Sequence, residues 1–258
     1  MPEVPTGETL VVSGRRIHYA LVGSGFSGTP IVFLHEGLGS VELWREFPRK
    51  VVTASRHPGV VYSRHGNGWS EPLDGPRDVD YMHFEAREVL PDVVARLTET
   101  PPILVGHSDG ASIALIYAGS GHPVAGLALI APHVFVEPLT LESIGALRRG
   151  FAGSDMSEKM AKYHTDAQGT FLGWADVWLN PKFRSWNIEE YLTDVSSPTL
   201  VVQGDADEYG TLRQLDAIDA GLPQPAQRLV VEGAGHSPHL SHMEIVTRAV
   251  VDLIQDLG

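Results

Sequence analysis

The stretch ILVGHSDGASIALIYAG (103–119) sets three polar side chains, His107, Ser108 and Asp109, between Gly106 and Gly110. An apolar run suited to a buried strand precedes them, and an apolar run of helical length follows. Gly106-His107-Ser108-Asp109-Gly110 fits G-x-S-x-G, the pattern of a sharp strand-to-helix turn. A residue at such a turn is forced into strained backbone geometry, and flanking glycines remove the Cβ atoms that would collide. The turn lifts the serine hydroxyl to the start of a helix, where backbone N–H groups and the helix dipole favour a developing negative charge. A serine hydroxyl is a weak nucleophile unless a base takes its proton, and that base must be held in one orientation.

Two later segments supply such groups. TLVVQGDADEYG (199–210) places Asp205, Asp207 and Glu208 after a strand-like run. Asp207 is the favoured acid, because it lies far enough past Gly204 for the loop to turn back; Asp205 is second. VVEGAGHSPHLSH (230–242) places His236 directly after the flexible turn Gly233-Ala234-Gly235, with His239 and His242 further on. The three histidines recur every third residue, a spacing that raises the question of a metal. Pro238 spoils a regular helix there, so the rings need not share a face. No metal and no cofactor are expected. Gly23-Ser24-Gly25-Phe26-Ser27-Gly28 matches G-x-G-x-x-G but runs into a strand rather than a helix, so it reads as a loop.

The elements that must position these groups are legible as well. TLVVSGRRIHYALVG (9–23) reads as two strands about a Ser13-Gly14 turn. IVFLHEG (31–37), GVVYSRHG (59–66), VAGLALIAP (124–132) and RLVVEGAG (228–235) are further strand-like runs. Helical spacing is expected around Leu43–Thr53, across VDYMHFEAREVLPDVVARL (79–97) with a kink at Pro91, and over MEIVTRAVVDLIQDLG (243–258). This alternation predicts an α/β fold, a mostly parallel central sheet with helices on both faces. From about His133 to Ser197 no strand-like run occurs, yet Trp174, Trp178 and Trp186 all fall there. Residues 133–197 are therefore expected to form a helical cap inserted into a core of 1–132 and 198–258.

LHEGLGS, VVYSRHGNGWS, VGHSDGAS, QGDADEYG and GAGHSPHL together resemble the α/β-hydrolase superfamily over essentially the whole chain. The resemblance implies Ser108 as nucleophile, Asp207 as orienting acid and His236 as general base. LHEGLGS stands where the family commonly has H-G-x-x-G, which implies an oxyanion hole from the backbone N–H groups of Gly37 and Asp109. The sequence departs from that pattern at Glu36. The expected pocket residues are Glu36, Trp44, His107, Val134, Phe135, Trp174 and Trp178.

Composition narrows the function. Against 19 Lys and Arg stand 32 Asp and Glu, a formal net charge of −13, which disfavours a nucleic-acid partner. Without cysteine, thiolate chemistry is excluded, and a reducing cytoplasm is compatible. No apolar run reaches the roughly 18 residues that span a bilayer, and no signal peptide is visible. The expectation is a cytoplasmic serine hydrolase that cleaves carboxylic esters of small or aromatic acyl groups. Carbon–carbon bond hydrolysis of diketone-like substrates and cofactor-free perhydrolase chemistry use the same triad. A ligand receptor on the same fold would lack one triad member.

Overall fold

The computed structural model describes residues 7–257. An eight-stranded sheet runs in the order β1-β2-β4-β3-β5-β6-β7-β8. β1 (Glu8–Val12) and β2 (Arg15–Val22) form a hairpin across Ser13 and Gly14, both with positive φ, as a tight two-residue turn requires. β2 also lies antiparallel to β4 (Gly59–Tyr62). Every other pairing is parallel, among β3 (Ile31–Leu34), β4, β5 (Ile103–His107), β6 (Gly126–Ile130), β7 (Thr199–Gly204) and β8 (Gln227–Val231). The residues of β3 to β7 are buried throughout, which is why these segments read as unbroken apolar runs. Edge strand β8 is mostly open to solvent.

Alternate strand residues feed two cores. Ile31, Phe33, Ile103 and Val105 meet α1 (Phe47–Ser55) and the last helix, α10 (Met243–Asp256). Val32, Leu34 and Leu104 face the opposite layer. That layer holds α2 (Tyr81–Phe84), α3 (Leu90–Leu97) and α4 (Asp109–Gly119). α4 is buried on all sides, hence its lack of a polar stripe. Between α2 and α3 the chain makes one π turn, Glu85–Val89. Pro91 is the cause: it cannot donate to the Arg87 carbonyl, its ring crowds that carbonyl, and the wider turn relieves both. The kink thus lies just before the proline.

Between β6 and β7 lie α5 (Pro138–Gly150), α6 (Met156–Met160) and α7 (Ala167–Trp178), followed by 3₁₀ turns at Pro181–Ser185 and Glu189–Asp194. The one β-like contact here is an isolated bridge from Phe135 to Asn187. α5 packs on α7, and both reach the carboxyl ends of the strands. The last turn behaves differently: Glu189–Asp194 packs on α4 and on α8 (Arg213–Gly221), within the helical layer of the sheet. Residues 133–197 therefore divide between a part over the strand ends and a part in that layer. α9 (Pro238–Ser241) is a single turn ahead of α10. No helix of the described residues is long and apolar enough to cross a membrane.

Candidate active site

Ser108 sits between β5 and α4 at φ 52°, ψ −117°, a conformation that costs a non-glycine residue on the order of 1–3 kcal/mol. The surroundings hold it there. A Cβ on Gly106 would strike the backbone of Gly110 and Ala111, and one on Gly110 the carbonyls of Leu34 and His35. The Ser108 N–H continues the parallel ladder, donating to the Ile130 carbonyl at 2.9 Å. Its side chain is left facing a cavity.

The loops after β7 and β8 bring two further groups to that hydroxyl. His236 Nε2 lies 2.8 Å from Ser108 Oγ. On the far side of the ring, Nδ1 lies 2.9 and 3.0 Å from the two carboxylate oxygens of Asp207. A carboxylate only accepts, so Nδ1 carries the proton and Nε2 is free to accept from the serine. Asp207 is 8 % exposed. Its Oδ1 also accepts from Tyr209 N–H at 2.8 Å, and its Oδ2 from Gln203 Nε2 at 3.1 Å. Burial alone would raise its pKa, but the hydrogen bond and charge of His236, with the Tyr209 N–H, hold it below the ordinary value. Asp205 is exposed and takes the Gly233 N–H instead, at 2.7 Å. Glu208 accepts the backbone N–H of His236 at 3.1 Å.

The loop after β3 faces the same hydroxyl. Arg64 donates to the carbonyls of His35 and Glu36, and Asn67 donates to those of Gly37 and Gly39, each at 3.1 Å. His35 Nε2 accepts the Arg64 N–H at 3.0 Å, so its Nδ1 carries the proton toward the Glu36 carbonyl. With the carbonyls tied back, the Gly37 N–H makes no hydrogen bond among the described residues. Gly37 is required here, since a Cβ would run into the indole of Trp174. The Asp109 N–H opens α4, among the N–H groups a helix leaves without an internal partner.

The cavity that the Ser108 side chain faces measures about 170 Å³. Glu36, Trp174 and Trp178 line it, as the sequence leads one to expect. Trp44, His107, Val134 and Phe135 do not. Trp44 drops into the opposite core, stacked on Phe47 at 5.9 Å. His107 is buried behind the serine. Val134 points into the core, its backbone tied to Gln214 and Ile188. Phe135 lies under the Arg213 guanidinium, 5.5 Å from its ring centroid. In their place stand Leu38, His133, Thr140, Ile144 and Tyr209. Two of these carry a sequence signal: Tyr209 belongs to the acid loop, and His133 follows the end of a parallel strand, where ligands gather in such sheets. Thr140 and Ile144, one turn apart on α5, become visible only once α5 is placed. The buried Glu137 fixes that helix by accepting from Thr211 N–H at 2.9 Å, Thr211 Oγ1 at 2.7 Å and Gln214 Nε2 at 2.8 Å.

The electrostatics of the cavity are set by burial. His133 is pushed down to about 3, by burial first and then by the charge on His236. Asp109 makes no cap; its carboxylate accepts from Tyr81 Oη on α2, and burial pushes its pKa up. His236, His239 and His242 do not converge, because His239 is buried against Trp44 and Phe47 while His242 pairs with Ser241. No metal-holding cluster occurs among the described residues.

Residues 31–249 match the model of the alpha/beta hydrolase family, and the chain belongs to that family. It is a hydrolase. Among solved structures it is similar to a membrane phospholipase A described as a bacterial virulence factor, at 19 % identity and TM-score 0.79, covering 98 % of this chain and 86 % of that one. A thermophilic esterase from Thermogutta terrifontis is similar at 21 % identity and TM-score 0.69, covering 98 % and 99 %. The enol-lactonase from Burkholderia xenovorans LB400 is similar at 18 % identity and TM-score 0.73, covering 96 % and 100 %. At such identities the likeness is one of fold. No curated protein matches the chain in sequence.

Proposed function

We propose that this protein is a serine hydrolase that cleaves carboxylic esters of small or aromatic acyl groups through an acyl-enzyme intermediate. The observation that carries the reading is the hydrogen-bonded chain Ser108–His236–Asp207 opening on a cavity of about 170 Å³. In this reading, Ser108 Oγ bonds to the acyl carbon as its proton passes to His236 Nε2. The carbonyl electron pair moves onto oxygen, where the N–H groups of Gly37 and Asp109 receive the charge; losing one such donor typically costs about 10²–10³ in rate. Asp207 keeps the imidazole oriented and stabilises it when protonated. The intermediate collapses, the alcohol leaves with the His236 proton, and water repeats the cycle to free the acid.

The cavity supports a short acyl group. It is smaller than the roughly 300–1,000 Å³ of drug-sized ligand sites, and α5 and α7 form its wall as the cap. Aromatic walls from Trp174 and Trp178 suit a flat or short chain. The test has two arms. A fluorophosphonate is expected to label the wild type once per chain and to leave Ser108→Ala unlabelled, with the variant folded and turnover lower by several orders of magnitude. Across p-nitrophenyl esters from acetyl to palmitoyl, plus benzoyl, kcat/KM is expected to peak at a short or aromatic acyl group. Near-native turnover in Ser108→Ala, or a maximum at palmitoyl, would refute the corresponding half of the reading.

A further inference from the structure

The chain leaves β6 through Ala131 at φ 48°, a left-handed conformation that strains any residue with a Cβ. Two residues on, the backbone of His133 is clamped. Its N–H donates to Ser112 Oγ at 3.3 Å, and its carbonyl accepts from the same hydroxyl at 2.6 Å. The ring is held as closely. It stands edge-on to Trp178, with centroids 5.3 Å apart, and lies 5.7 Å from the ring of His236. Gly210 leaves the space that the ring needs, since a Cβ there would come within 3.2 Å of His133 Cε1.

Fixed in this way, the imidazole of His133 has no partner inside the protein. The residue is 2 % exposed, and its Nδ1 makes no hydrogen bond among the described residues. Nε2 makes none among them either, and the ring lines the cavity beside Ser108 and His236. An apolar side chain would fill the same space without forfeiting hydrogen bonds to water. An imidazole here calls for a partner that arrives in the cavity, and the strained turn at Ala131 points the same way.

The charges around the ring define that partner. Burial, and then the charge on His236, push His133 down to about 3, so the ring is neutral and offers one N–H and one lone pair. No Lys or Arg lines the cavity, so a substrate carboxylate would enter without a counter-charge. A hydroxyl suits a neutral imidazole whichever nitrogen carries the proton, and an oxo group suits it when Nε2 does.

We propose that His133 determines specificity in the acyl site, with Nε2 hydrogen-bonded to an uncharged oxygen substituent, a hydroxyl or oxo group, on a short or aromatic acyl chain. The inference rests on the hydrolase reading and narrows its substrates from simple acyl esters to hydroxyacyl and oxoacyl esters. An analogue without the oxygen leaves the ring unpaired, which is how a polar site rejects an apolar substrate. One neutral hydrogen bond corresponds to a preference of about tenfold.

The test compares methyl esters that differ by one group. Butyrate is set against 2-hydroxybutyrate, 3-hydroxybutyrate and 3-oxobutyrate, and benzoate against 3-hydroxybenzoate, each rate corrected for the ester's own alkaline hydrolysis. In the wild type, kcat/KM is expected to be at least about tenfold higher for an oxygenated ester than for its plain counterpart. His133→Phe keeps a ring but no polar atom, and should bring that ratio to about one. His133→Gln retains a donor and an acceptor, and should keep part of the preference. Binding to Ser108→Ala removes turnover from the comparison: the dissociation constants of a pair should differ by a similar factor, and the difference should vanish when His133→Phe is added. A merely structural role would weaken both esters of a pair alike and leave the ratio unmoved. Equal kcat/KM within every pair, or a preference that survives His133→Phe, overturns the proposal. So does a faster ester of 3-aminobutyrate or of monomethyl succinate, which would give the cavity to a charged group. A preference that follows the alcohol, with 2-hydroxyethyl butyrate ahead of propyl butyrate only while His133 is present, overturns the acyl placement. Failure of a fluorophosphonate to label the wild type would instead overturn the hydrolase reading, and the specificity role with it.

Discussion

Ser108, His236 and Asp207 meet from three loops, and their hydrogen bonds make separable demands on substitution. Asp207→Asn should lower kcat by about 10⁴-fold, because the amide can donate to Nδ1 and turn the imidazole to the wrong tautomer. Asp205→Asn should cost little, since that exposed carboxylate holds only the Gly233 N–H. Steady-state kinetics of the two variants decides between them, and an Asp205 variant that is the more impaired would reverse the assignment. His239→Ala is expected to act on stability rather than on the triad, since the ring is packed between Trp44, Phe47 and His107. Ser108 and His236 were legible because a strand-turn-helix motif and a glycine-rich turn leave few alternatives. Asp207 required a judgement about how far a loop must run before it turns back. Trp44 misled because an aromatic residue after a catalytic loop can face either side of a sheet, and sequence spacing does not say which.

At the scale of elements, α5 and α7 supply walls of the cavity while the loops after β5, β7 and β8 carry Ser108, Asp207 and His236. Ile144 on α5 lines the cavity and is buried, so Ile144→Ala should lengthen the acyl group that fits. Each methylene in such a pocket is worth about 1–3 kcal/mol of discrimination. The optimum across the ester series should move to longer chains, while reactivity toward a small phosphonate changes less. An unmoved optimum would take Ile144 out of the acyl site. The variant should also lose about 2–5 kcal/mol of stability, so the assays belong well below its melting temperature. Trp178→Ala is the poorer probe, because that indole is wedged among His133, Phe183 and Trp186 and its removal leaves a large void. The elements themselves were readable from period and composition. What escaped was the division of residues 133–197, because local pattern cannot say that Glu189–Asp194 packs beneath α4 rather than over the site.

The molecule as a whole buries an unusual set of imidazoles, and this sets its response to acid. His133 and His164 are held at about 3 and about 4 in the folded protein, against 6.5 when unperturbed, and His35 and His239 are also lowered, all mainly by burial. The folded state keeps them neutral while the unfolded chain takes up protons below about 6.5. Their contribution to stability is therefore complete above that value and is lost progressively as pH falls toward the folded values. Each histidine can add up to about 1.4 kcal/mol per pH unit to the slope. The urea midpoint should fall between pH 7 and pH 5, and a flat midpoint would mean that these rings take up protons within the folded protein. The amino-acid sequence by itself determined the order of strands and helices, the turn at Ser108 and the order along the chain of Ser108, Asp207 and His236. Local sterics and hydrophobic period act within a few residues, so they are written along the chain. Tertiary structure alone decided that Trp44 lies in the far core and that His133 and Tyr209 line the cavity. These depend on which face a side chain takes and on loops brought together across the sheet, and no local pattern encodes a distance between segments so far apart.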